Sequence, residues 1–155
     1  MSYFIRSFCR SNKIPTINEL ELYLKNNYPE IKIKTDDDKN SKKWDRLNFF
    51  YKNDKKPIVV KLDINDGSEN LVTKECKEFI DEIGNPGLSF AKRKIIKHLK
   101  NVKYIICSQI LNDADDDSYN LNGELLNYFV NNYEGLIQAD GEGFYNGYKL
   151  IVKLD

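Results

Sequence analysis

The chain repeats itself, and that repetition limits the folds open to it. Val60-Lys61-Leu62-Asp63 recurs as Val152-Lys153-Leu154-Asp155, each time behind an apolar pair, Ile58-Val59 and Leu150-Ile151. Upstream of each copy a Leu/Tyr-rich stretch ends in Asn-Asn-Tyr, at Asn26-Asn27-Tyr28 and at Asn131-Asn132-Tyr133. Further upstream, Tyr3-Phe4-Ile5 answers Tyr104-Ile105-Ile106. The shared order predicts two β-α-β-β half-units, about 1–66 and 103–155, joined by two helices over 68–102. At 155 residues they fit one α+β domain, 1–155. The expected architecture is a pair of ferredoxin-like half-units in a mixed sheet, with helices packed mainly on one face and right-handed crossovers.

Composition narrows the function classes. Lys plus Arg, 24, equals Asp plus Glu, 24, so the formal net charge is zero. Neither a strongly basic nucleic-acid binder nor an acidic nucleic-acid mimic is indicated. Met1-Ser2-Tyr3-Phe4-Ile5-Arg6 runs straight into an alternating pattern with no signal-peptide core, and no apolar run is long enough to span a bilayer. Cys9, Cys76 and Cys107 are scattered, odd in number and form no CxxC, so they read as reduced, buried thiols of a cytoplasmic protein. Heavy use of Lys, Asn, Asp, Ile and Tyr suits an AT-rich bacterial genome.

Local signals place the elements. A first strand is expected over 2–10. Thr16 and Glu19 form a capping box for a helix carrying Ile17, Leu20 and Leu24 on one face. Ile31 and Ile33 alternate with lysines, and strands follow at 47–51 and 57–64. Asp66-Gly67-Ser68 opens a helix with Val72, Cys76, Phe79, Ile80 and Ile83 at helical spacing, closed by Gly84. Ser89 caps the next. The apolar run 104–111 is the best candidate for a central strand. An acidic loop, 112–118, leads to a helix over 121–133, a strand over 135–139, a turn region at 140–143 and a last strand over 148–154.

The most distinctive segment is Gln138-Ala139-Asp140-Gly141-Glu142-Gly143-Phe144-Tyr145. A bulged hairpin anchored by Phe144 accounts for it. Its functional reading is a small binding loop, with Asp140, Glu142 and Tyr145 contacting a ligand or partner. The segment resembles the Gln-x-Asp-Gly-Glu-Gly-Phe-Tyr ending of an uncharacterised group of small bacterial α+β proteins, a similarity reaching back through 104–111 and 121–133. That resemblance implies a bacterial protein and no particular activity. Asp113, Asp115, Asp117 and Glu124 have part of the spacing of a calcium loop, but Ser118 stands where glycine is required, so no metal is expected.

Arg93, Lys94 and Lys97 lie in a basic helix over 89–102 that could contact phosphates, although a solvated helix face explains it as well. Phe90 is expected in the core. His98, the one histidine, has no second ligand for a zinc site. There is no nucleophile elbow, P-loop or dinucleotide fingerprint. Trp44 and Arg46 read as an interface anchor, the plainer alternative being a tryptophan that covers the sheet edge. Ten tyrosines and eight phenylalanines exceed what the core pattern requires. The resulting expectation is a non-enzymatic bacterial protein-binding module, immunity- or antitoxin-like, without cofactor. Free strand edges would also allow a homodimer. The alternatives are a small-ligand protein or enzyme with its site around 138–145, and a nucleic-acid binder using the basic helix.

Overall fold

In a computed structural model, residues 3–154 are described; Met1, Ser2 and Asp155, the last of which closes the second Val-Lys-Leu-Asp copy, lie outside them. The first half runs β1 (Tyr3–Cys9), α1 (Ile17–Leu24), β2 (Lys32–Lys34), β3 (Arg46–Phe50) and β4 (Ile58–Ile64). Helices α2 (Leu71–Ile83) and α3 (Phe90–Leu99) follow. The second half runs β5 (Tyr104–Ile110), α4 (Asp116–Asn132), β6 (Gly135–Ala139), β7 (Gly143–Asn146) and β8 (Lys149–Lys153). Each half is therefore β-α-β-β-β, because the expected turn region at 140–143 ends in an additional strand, β7.

The eight strands form one sheet in the order β2-β3-β4-β5-β1-β6-β7-β8. Every pairing is antiparallel, so the sheet is not mixed. The reason lies in the crossovers. Strands β5 and β6, linked by α4, run parallel, but β1 lies between them. Strands β1 and β2, linked by α1, also run parallel, with β5, β4 and β3 between. The halves share this sheet but sit in it differently. The last strand of the first half, β4, adjoins β5, whereas the first strand after α4, β6, adjoins β1.

Helices cover both faces, not mainly one. Along β5, Tyr104 and Ile106 face one core while Ile105 faces the other. A central strand apolar on both sides needs a helical layer on each side. Helices α1 and α4 bury Leu20, Leu24, Leu125 and Phe129 in the first core. Helices α2 and α3 bury Val72, Cys76, Ile95 and Leu99 in the second, with Phe8 and Phe144 from the sheet. Phe144 does anchor the 138–145 hairpin.

The helix starts follow side-chain chemistry. Thr16 and Glu19 make the expected capping box of α1, and Ser89 caps α3. Helix α2 begins at Leu71 behind an Asn70/Thr73 box, later than expected. Helix α4 begins five residues before 121, because Asp115 and Ser118 box its first turn and Asp116 and Asp117 suit its positive end.

Candidate binding pocket

The turn between β6 and β7 sorts its side chains to opposite faces of the sheet. Glu142 N–H closes the turn onto the Ala139 carbonyl at 3.1 Å, and Gly141 takes φ 73°. Asp140, before that glycine, continues the alternation of Gln138 and points to the α2 side. There Arg6 donates to Asp140 Oδ1 at 2.7 Å and to Gln138 Oε1 at 2.8 Å, and lies 3.5 Å from Glu75 Oε2. The rings of Phe4 and Phe79 lie within 6 Å of the Arg6 guanidinium carbon, at 5.9 and 5.6 Å. Burial keeps the Glu75 carboxyl above its usual range despite Arg6. This cluster ties α2 to β1 and to the end of β6, and Asp140 belongs to it.

Glu142, beyond Gly141, points to the α4 side. The hydroxyls of Tyr3 and Tyr145 donate to its two carboxylate oxygens, Tyr3 to Oε2 and Tyr145 to Oε1. The bond to Glu142 is the main cause that raises the Tyr145 hydroxyl above its ordinary value, so it stays protonated and donates. The three groups stand over a cavity of about 500 Å³ between α4 and the ends of β1, β6 and β7. Ile5, Ile137 and Ala139 form its sheet side, and Leu126 and Gly123 line it from α4. A Cβ at Gly123 would meet nothing within 4 Å, so this helical glycine leaves open space. Tyr119 and Tyr148, 48% and 84% exposed, also line the cavity.

Of the residues expected at a binding site, the pocket unites Glu142 and Tyr145 and leaves Asp140 on the other face. Trp44 is not a surface anchor. It is 1% exposed, and its indole N–H donates to the Pro15 carbonyl at 3.0 Å, which lets its polar edge enter the core. Arg46 is exposed on β3 and does not line the pocket. Tyr3, Tyr119, Tyr148 and Gly123 had no individual signal in the sequence; only the surplus of tyrosines pointed toward them.

The other candidate features resolve locally. Arg93 folds back to donate to the Gly87 carbonyl, while Lys94 and Lys97 are exposed. Phe90 is 83% exposed and not in the core, because it opens α3 on the side facing away from Ile95 and Leu99. In the acidic segment the Lys52 ammonium lies 2.7 Å from Asp115 and 2.6 Å from Asp117, and Glu124 accepts from Asn27 at 2.8 Å. Lys52 therefore occupies the space between two of the carboxylates a calcium loop would use. Burial pushes the Cys9 and Cys76 thiols up to about 12 and Cys107 to about 11, so none offers a thiolate at neutral pH.

His98 leads to a prediction. Its Nε2 lies 2.7 Å from the Phe8 carbonyl, the geometry of a neutral ring donating to β1. Burial lowers its pKa more than that bond raises it; Arg10 and Lys94 push the same way and Glu134 opposes. The unfolded ring takes up its proton first, near pH 6.5, so stability is full above that pH and falls as pH drops towards the folded value. The urea midpoint should fall between roughly pH 7 and pH 5, and His98→Gln should flatten that slope. An unchanged slope would assign the effect elsewhere.

Comparison of the chain with family models, with curated proteins and with solved structures finds no match.

Proposed function

We propose that the protein is a non-enzymatic binding module whose recognition site is the tyrosine-lined pocket between α4 and the β1–β6–β7 end. One observation carries this reading: a single carboxylate, Glu142, fixed by two phenols above a mostly apolar cavity of about 500 Å³ whose other polar side chains include Asn122 and Asn127. Ligand sites have this form, an apolar enclosure with a few placed polar groups. A paired-carboxylate chemistry would need a second carboxylate beside Glu142, and Asp140 is instead bound to Arg6 across the sheet. The occupant is a free small molecule or a side chain presented by a partner protein, the latter in keeping with an immunity- or antitoxin-like bacterial protein of the cytoplasm. The repeated β-α-β-β-β order supports an origin by duplication of a ferredoxin-like half-unit, with the second half providing most of the pocket. The nucleic-acid reading draws on exposed Phe90 beside Lys94 and Lys97, but Arg93 is engaged with Gly87 and the chain has no net positive charge.

Gly123 supplies the test. Glycine inside a helix costs about 0.5–1 kcal/mol relative to alanine. A Cβ at 123 meets nothing within 4 Å and Gly123 lines the cavity, so Gly123→Leu should fold about as stably as wild type while filling the pocket. In a fragment screen read by amide chemical shifts, hits should perturb residues 3, 123, 142 and 145 in wild type and vanish in Gly123→Leu. Hits unaffected by the plug would place binding elsewhere, and a wild-type pocket that takes no fragment would overturn the reading.

A further inference from the structure

The pocket also specifies a charge. Four tyrosines, Tyr3, Tyr119, Tyr145 and Tyr148, line it together with Glu142. We infer that it takes an organic ammonium cation, an alkylated amine seated against Glu142 and the tyrosine rings. This rests on the pocket being the binding site.

Three features point to that chemistry. First, among the described residues Glu142 has no cationic partner of its own. Asp140 faces Arg6, and Asp115 and Asp117 share Lys52, but among the described residues no ion pair reaches Glu142. Its bonds come from neutral phenols. Each phenol spends its one hydrogen on the carboxylate, and an ionised carboxylate only accepts, so this corner of the pocket presents negative charge and open acceptor positions. A ligand carrying an anion there would be repelled; one carrying a cation would complete the pair.

Second, tyrosine ring faces attract cations electrostatically, and most strongly where water is partly excluded. Four of the ten tyrosines line this one cavity. Third, the surfaces beneath are apolar: Ile5, Leu126 and Ile137. A calcium ion wants six to eight oxygens and magnesium a near-ideal octahedron, which one carboxylate does not supply when the Asn122 oxygen accepts from Ser108 and the Tyr3 and Tyr145 hydroxyls donate to Glu142. A strongly hydrated primary ammonium would lose water against these walls, whereas an alkylated ammonium brings its own apolar surface. The same head group can come from a free choline-like molecule or from a methylated lysine side chain on a partner protein.

The experiment titrates wild-type protein, by amide chemical shift, with choline, with its uncharged isostere 3,3-dimethylbutanol, and with a short peptide bearing trimethyl-lysine. Choline is expected to shift residues 3, 119, 142, 145 and 148 and to bind about tenfold or more tightly than the neutral isostere. Glu142→Gln, which keeps the side-chain shape, should remove that advantage and leave the isostere unchanged. Tighter binding of the peptide than of choline would identify the source as a partner's lysine; the reverse would identify a free cation. If the isostere binds as well as choline, or Glu142→Gln leaves choline binding intact, the cation inference is overturned while the pocket remains a binding site. If neither probe binds and the Gly123→Leu plug changes no fragment hit, the pocket reading falls with it.

Discussion

Replacing Trp44 with alanine should destabilise the protein by about 3–5 kcal/mol, the usual loss for a large aromatic removed from a packed core. The indole lies in the first core with Ile17, Leu20 and Leu47, at 1% exposure. Its removal leaves a void that neighbours on α1 and β3 cannot all move to fill. The loss is not only apolar. The indole N–H is the hydrogen-bond partner of the buried Pro15 carbonyl, just ahead of the Thr16 cap of α1. Alanine strands that carbonyl as well. Trp44→Phe separates the two contributions: it keeps most of the apolar volume and should cost about 1–3 kcal/mol, the penalty of an unsatisfied buried acceptor. Whole domains are stable by only about 5–15 kcal/mol, so the alanine variant should be partly unfolded on mild heating. As Trp44 is the only tryptophan, its emission should be blue-shifted in the wild type, and the variants should be followed by far-ultraviolet circular dichroism. A loss below about 1 kcal/mol for Trp44→Ala would mean that the indole is not packed as described.

Trp44 also shows where sequence reasoning stops. Lys42, Lys43, Asp45 and Arg46 surround it, and a tryptophan among charges reads as a surface anchor. Its burial rests on the first core around it and on a carbonyl 29 positions away that takes its N–H, neither of which a local pattern reveals. Features set within one turn or one strand were legible: the Thr16–Glu19 box, the Ser89 cap, the doubly apolar β5 and the core position of Phe144. The start of α4 was hidden because its first turn is held by Asp115 and Ser118 and not marked by apolar residues. Strand β7 was hidden inside a glycine-rich turn. The one-sided helix layer failed for a reason already visible in β5, whose run of Tyr104, Ile105 and Ile106 needs cover on both faces. For the site, Glu142 and Tyr145 were legible as a pair three residues apart, whereas Tyr3 joins them from 139 positions away. Asp140 was misassigned for a definite physical reason. Residues two apart in a strand share a face, but Gly141 at φ 73° and Gly143 at φ 137° break that alternation between 140 and 144.

Gly143→Ala should therefore be the most damaging single-methyl change in the turn, and should silence the pocket without touching it. A Cβ there would stand 2.0 Å from the Val152 carbonyl oxygen and 2.9 Å from both Leu154 N and Lys153 Cα. All three are backbone atoms of β8 and the residue after it, which cannot swing aside as a side chain could. Strain from φ 137° and the clash together should cost about 2–5 kcal/mol, with urea denaturation as the measure. Gly141→Ala is the control. It also has positive φ, but its Cβ would meet nothing within 4 Å, so it should lose only about 1–2 kcal/mol. The larger effect at 143 extends to the site because Leu154 N–H donates to the Glu142 carbonyl at 2.9 Å. Pushing β8 away from β7 releases the residue on which the cavity's charge depends. At temperatures where the variant is still folded, its Tyr3 and Tyr145 resonances should move and fragment binding should weaken. Equal stability losses at 141 and 143 would show that β7 and β8 are not packed this closely. A Gly143→Ala protein that binds as wild type would show that the β7–β8 contact does not position Glu142.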